Sequence, residues 1–235
     1  MVYIISELCG QWGGSLRRAE QMILQSKIGG ANAVKVQLWD TYRMPGDNRH
    51  LWEYLSIKKE VFLHLQEYAK KLNIDFFASP FHEDTYDWIK ESGIKTNKIA
   101  SSMLEWDFNF CKKMVNDGNL TYVSLGKWNK KEMPFKNDNV KHFHCIAKYP
   151  HTFDEAIEKM PIKFSKDTIE GYSDHSLGIY ACLEAVRRGA TILEKHFTVD
   201  KSLQCKTESA HICSMDLDDL IELRNSCDKI TISKK

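Results

Sequence analysis

The sequence is short of net charge. Thirty-three Lys and Arg oppose thirty-two Asp and Glu, so no overall field recruits nucleic acid or a membrane surface, and an anionic ligand must be caught by a local pocket. No apolar stretch is long enough to span a bilayer. The opening MVYIISELCG has no basic segment ahead of its apolar run and soon reaches Glu7; it reads as a buried first strand, not a signal peptide. The seven cysteines (Cys9, Cys111, Cys145, Cys182, Cys205, Cys213, Cys227) never form C-x-x-C. Odd in number and scattered, they argue against a disulfide framework and a structural zinc site, and fit reduced thiols in a cytoplasmic protein. No phosphate-binding glycine fingerprint follows the first strand, which disfavours a dinucleotide fold.

What is present is a repeated unit. The apolar run 2–6 precedes Leu16, Ala19, Met22 and Ile23 at helical spacing, up to the pair Gly29-Gly30, which is a strand followed by a helix. The pattern recurs with strands at 33–37, 75–79 and 96–101 and helices near 55–72, 83–92 and 105–117. In the second half, strands at 121–126, 140–147, 168–174 and 191–197 alternate with helices near 153–160, 177–188 and 216–228. Eight apolar strands in 235 residues predict an α/β fold with a parallel sheet closed into a (β/α)8 barrel, one domain over residues 1–235. One helix is missing from the pattern. Between the fifth and sixth strands, GKWNKKEMPFKNDN carries Pro134 and an Asn-Asp-Asn cluster, so no regular fifth helix is expected.

Catalytic groups of such barrels sit where strands end. Here those positions hold Glu7, Lys35, Gln37, Ser79, Lys98, Ser101, Ser124, Ser173, Asp174, His175, Glu194, Lys195 and His196. Two-residue periodicity points Glu194 and His196 inward and Lys195 outward. With His175 on the neighbouring strand, this leaves two readings open: satisfied interior histidines, or a two-histidine metal site with positions free for water and substrate oxygens. The serines suit strand-to-loop turns, or else form a ring of hydroxyls around the Lys98 ammonium that would hold a phosphate. His142 and His144 flank Phe143 and read as barrel filling or surface positions. Trp39, Tyr42, Trp52 and Tyr54 with Pro45 and Gly46 form a long loop that could cover a substrate or pack down on the barrel. The alternating charges from Asp216 to Arg224 read as a solvated helix face.

The runs ISELCGQWGG, GGANAVKVQ, FFASPF, KIAS, HCIAKYP, GYSDHSLG and GATILEKHFTVD, in order from residue 3 to about 200, resemble the sialic acid synthase family. Those enzymes condense phosphoenolpyruvate with an N-acylated amino sugar. The resemblance implies His175 and His196 as ligands of a divalent cation, manganese first, with magnesium or cobalt as alternatives, and Glu194 beside them. It implies Ser79, Lys98, Ser101, Ser124 and Ser173 as the phosphoenolpyruvate phosphate site, and Glu7, Lys35 and Gln37 as residues near the reacting centre. Phosphoenolpyruvate and an aldose acceptor are the implied ligands, with a homodimer as the matching assembly.

The chain departs from the family around the acceptor. Gln11-Trp12 stand where Asn-His is common, Met103 where a glutamate follows KIxS, Ala147 where an asparagine or serine precedes Tyr-Pro, and Cys205-Lys206-Thr207-Glu208 where Gly-Pro-Asp-His is usual. The resemblance covers the barrel alone, so a single-domain protein without the antifreeze-like domain that follows the barrel in bacterial members is expected. Three readings follow: a synthase with a changed acceptor, a barrel that binds a sugar phosphate or partner chain without turnover, and another metal-dependent aldolase.

Overall fold

The computed structural model describes residues 1–39, 53–202 and 212–233. Tyr42, Pro45, Gly46, Trp52 and the 205–208 substitutions lie outside the described residues.

Eight parallel strands close a barrel in sequence order: β1 (Tyr3–Glu7), β2 (Ala33–Leu38), β3 (Asp75–Pro80), β4 (Thr96–Ile99), β5 (Leu120–Ser124), β6 (Val140–Cys145), β7 (Gly171–Asp174) and β8 (Ile192–His196). β1 seals against β8 with Tyr3 opposite Ile192 and Glu7 opposite His196. The helices α1 (Leu16–Ile28), α2 (Lys59–Lys71), α3 (Glu83–Glu91), α4 (Met103–Trp106), α5 (Phe108–Asn116), α6 (Phe153–Lys159), α7 (Tyr180–Arg187) and α8 (Leu217–Ile232) occupy the crossovers.

Most helix boundaries follow local chemistry. Ser15 caps α1 by accepting from Arg18 N, and Thr152 with Glu155, like Asp216 with Asp219, forms a reciprocal capping box. The single helix expected near 105–117 is two. It starts early, at Met103, and breaks at Asp107, whose carboxylate accepts from Phe110 N at 2.9 Å and so caps α5 instead of continuing α4. Arg224 also corrects its reading as solvated. It donates to Gly30 O and Val2 O at 2.9 Å each and to Asn32 Oδ1 at 2.6 Å, fastening α8 to the base of β1 and β2.

The fifth helix is absent, as expected: residues 125–139 hold no helix. The segment is pinned by aromatics instead. Phe108 of α5 is sandwiched by Trp128 at 5.6 Å and Phe135 at 5.3 Å, both nearly parallel to it. A cavity of about 490 Å³ remains beside this segment, lined by Trp128, Lys131, Met133, His144, Ala147 and Lys159. His142 and His144 are therefore neither barrel filling nor plain surface. They lie on the outer side of β6, and His144 stacks on Tyr172 at 5.9 Å.

The barrel interior is layered. At the base Tyr3 donates to Asp75 at 2.5 Å. Above it Phe77, Tyr122 and Phe143 form an aromatic floor with ring separations of 5.7 and 5.3 Å. Ionised side chains lie above that floor, at the C-terminal ends of the strands, where (β/α)8 barrels place their chemistry.

Candidate active site

Four buried charges define the upper layer. Lys35 on β2 pairs with Glu7 on β1, and its Nζ lies 3.4 Å from Glu194 Oε1 on β8. Lys98 on β4 approaches the same Glu194 oxygen at 3.6 Å, with its Nζ 5.5 Å above the centre of the Phe143 ring. All four side chains are nearly inaccessible to water. Two cations and two carboxylates balance each other, which makes their burial tolerable.

The hydroxyl ring predicted around one ammonium is distributed across this cluster. Lys98 donates to Ser124 Oγ at 2.6 Å, whereas Ser79 accepts from Lys35 at 3.1 Å and Ser173 donates to Glu194 Oε1 at 3.1 Å. Ser101 and Ser173 hydrogen-bond the Cys145 thiol. The cause of the split is geometric: a second lysine points into the same layer and competes for the hydroxyls. Gln37 completes the group, donating to Glu7 Oε2 at 3.4 Å, while Cys9 N donates to the other Glu7 oxygen at 2.8 Å.

Electrostatics separate the two lysines. Burial works against both, but Glu194 and Glu7 together hold the Lys35 pKa above its ordinary value. For Lys98, burial wins over the attraction of Glu194, and the pKa falls. Burial opposes the charge of Glu194 as well, yet Lys35 and Lys98 keep its pKa below the usual value. Glu7 goes the other way, raised by burial despite Lys35. Of these two lysines, Lys98 has the weaker support for its charge, and a nearby anion would stabilise it.

His175 and His196 face each other at the rim, with ring centres 5.5 Å apart. His175 Nδ1 lies 2.8 Å from Ile146 O. A carbonyl only accepts, so Nδ1 carries the proton and Nε2 keeps its lone pair. Burial lowers the His175 pKa to about 4, so the ring is neutral at neutral pH. Tyr149 packs on His175 at 4.0 Å and on His196 at 5.9 Å between ring centres. Spacing arguments did not single out Tyr149; its only signal was its place in the Tyr-Pro pair after β6.

Behind the rim, strand alternation sends Asp174 and Lys195 outward. Lys195 Nζ meets Asp174 Oδ2 at 2.5 Å and donates to Ser176 O at 2.8 Å. Asp174 also accepts from Tyr172 OH and Ser176 N at 3.0 Å each and from Ser176 Oγ at 3.1 Å. Each member of this buried pair adjoins one rim histidine, so the pair fixes the ends of β7 and β8 from outside.

The arrangement suits a divalent cation. One histidine is locked with a free lone pair, the other faces it, and Glu194 Oε2 is buried with no hydrogen-bond partner among the described residues. No group of three or more His, Cys, Asp or Glu gathers as a closed metal site among the described residues; a two-histidine site leaves positions for water and ligand oxygens.

Comparisons with known proteins point one way. The NeuB family model matches residues 22–234. Pseudaminic acid synthase of Campylobacter jejuni is 30% identical over 93% of this chain and 70% of its own length. The N-acetylneuraminate-9-phosphate synthase of Drosophila melanogaster is 29% identical over 99% of this chain and 68% of its own. The crystal structure of N-acetylneuraminic acid synthetase from Leptospira borgpetersenii, in complex with citrate, superposes with a TM-score of 0.87 at 32% identity, covering 97% of this chain and 83% of that one. No helix among the described residues is long and apolar enough to cross a membrane.

Proposed function

From the premise that this chain belongs to the NeuB family, whose members include synthases of sialic, pseudaminic and legionaminic acids, we propose that it condenses phosphoenolpyruvate with an (N-acyl)amino aldose to give a sialic-acid-like nonulosonate. The observation that carries this reading is the neutral two-lysine, two-glutamate layer directly inside a pair of facing histidines.

In this reading Lys98 with Ser124 and Ser101, supported by Ser79 and Ser173, binds the phosphate of phosphoenolpyruvate. The lysine supplies a point charge and the hydroxyls turn to donate to remaining oxygens. Glu7, Lys35, Gln37 and Glu194 then surround the reacting carbons. C3 of phosphoenolpyruvate forms a bond to the aldehyde carbon, water adds at C2, and phosphate departs to leave the keto acid. The buried layer orients both partners and excludes bulk water, so its charges act at low dielectric without reorganising. His175 and His196 would hold a divalent cation, manganese first. When bound, it supplies Lewis acidity toward the aldehyde oxygen. Because the four protein charges already cancel, an arriving phosphate and carboxylate need added positive charge, which supports a cation at the rim.

The test is phosphate release from phosphoenolpyruvate with Mn2+ across a panel of N-acylated and plain aldoses. Release that depends on one aldose supports the proposal and names the acceptor. If Mn2+ and phosphoenolpyruvate bind but no aldose elicits release, the barrel is a binding protein. Met103, buried at 2% exposure in place of the family's carboxylate, favours that second reading.

A further inference from the structure

The missing fifth helix leaves a space that the protein edges with cations. Residues 127–136 carry Lys127, Lys130, Lys131 and Lys136 against Glu132 alone, in a chain whose charges otherwise nearly cancel. Trp128 Nε1 donates to Glu132 O at 2.7 Å, which closes a turn and holds Lys130 and Lys131 beside the cavity of about 490 Å³ on the outer side of β6. Lys159, the last residue of α6, adds a third ammonium from another element. None of the three forms an ion pair among the described residues, and Glu132 is the one carboxylate among the described residues that line the cavity.

The rest of the wall is partly apolar, built by Leu125, Met133, Ile146, Ala147 and Ile169. His144 adds a ring without charge, because burial lowers its pKa to about 4. The local field is therefore set by the lysines. The volume falls in the range of small-molecule sites, about 300–1,000 Å³, which combine apolar walls with a few convergent polar groups. The cavity is separate from the candidate active site: Lys35, Lys98, Glu194, His175 and His196 do not line it.

We propose that the space left by the fifth helix is a second binding site, for a compact organic acid whose carboxylate or phosphate is held by Lys130, Lys131 and Lys159 and whose carbon body lies against the apolar wall. A neutral ligand would leave the three ammoniums uncompensated. An inorganic ion would leave the apolar wall and most of the volume unfilled. The inference goes beyond the condensation proposed above and does not rest on it.

The experiment follows the Trp128 indole N–H in 1H–15N correlation spectra, assigned by its loss in Trp128→Phe, as gluconate, glucose 6-phosphate or glucose is added. These probes share a carbon skeleton and differ in carrying a carboxylate, a phosphate or no charge. Trp128 should shift saturably with at least one of the two anions and not with glucose, and the anion that acts tells carboxylate from phosphate. Reversing two of the cations in Lys131→Glu with Lys159→Glu should weaken that binding about tenfold or more, with the far-ultraviolet circular dichroism unchanged, because both side chains are exposed. Lys98→Met, inside the barrel, should leave it intact. The proposal is overturned if neither anion moves Trp128, if glucose moves it equally, if the lysine reversals leave the affinity unchanged, or if Lys98→Met abolishes the shift.

Discussion

Replacing Lys195 by Met should destabilise the protein far more than removing Lys195 and the charge of Asp174 together. Both side chains are inaccessible to water, and loss of one partner of a buried ion pair costs about 3–5 kcal/mol because the survivor is stranded. Asp174 would keep the donors Tyr172 OH, Ser176 N and Ser176 Oγ, which places Lys195→Met at the low end, about 3 kcal/mol. For a chain of this size that is a fall in Tm of roughly 6–12 °C. The double variant Asp174→Asn with Lys195→Met leaves no uncompensated charge, keeps an amide oxygen for Tyr172 OH and Ser176 N, and turns an NH2 toward the Ser176 hydroxyl, which can accept. It should cost about 1 kcal/mol or less, a coupling of about 2 kcal/mol or more in a double-mutant cycle. Urea unfolding followed by circular dichroism measures Lys195→Met, Asp174→Asn and the double variant. A Lys195→Met protein as stable as wild type, or a double variant less stable than the single one, refutes the reasoning.

Three further predictions address other layers. Lys98→Met should weaken phosphoenolpyruvate binding by about 10–100-fold, the value of a charge-assisted hydrogen bond, read by calorimetric titration; unchanged affinity would move the phosphate site elsewhere. Gly171→Ala would place a Cβ 2.7 Å from Phe143 Cδ1 and 2.8 Å from two more ring carbons, so it should cost about 1–3 kcal/mol by overpacking, seen as a lower urea midpoint at constant slope. Glu155 has its pKa depressed to about 2 by Lys148 and by Thr152 N–H. A depressed carboxylate stabilises above its unfolded pKa and loses that effect as pH falls through the folded one, so the Tm deficit of Glu155→Gln should be full at neutral pH and vanish as pH approaches 2.

The alternation of apolar strands and helices was legible because each strand is buried on both faces, which writes continuous apolar runs into the sequence. The same two-residue period placed Glu194 and His196 inward and Lys195 outward, as the contacts of each bear out. Partnership was not legible. Nothing local says that Ser79 serves Lys35 while Ser124 serves Lys98, since that depends on which strands adjoin around a closed sheet. Arg224 misled for the same reason: its neighbours in sequence are charged, but its acceptors lie 192 to 222 residues away. Gln11 was visible only as a substitution, and its contact with His196 needed the loop after β1 in three dimensions.

That clasp by Arg224 has a temporal side. Val2, Gly30 and Asn32 are synthesised well before the guanidinium that satisfies their oxygens, and before β8, the strand that must seal against β1. A growing polypeptide on the ribosome therefore carries an open sheet with an unsealed β1 edge until β8 has been made. Closure entropy over so long a loop is met only when β8 reaches β1. The nascent barrel is thus an aggregation hazard until residue 224 is free to reach back, and protease resistance should appear only once that residue has left the ribosome.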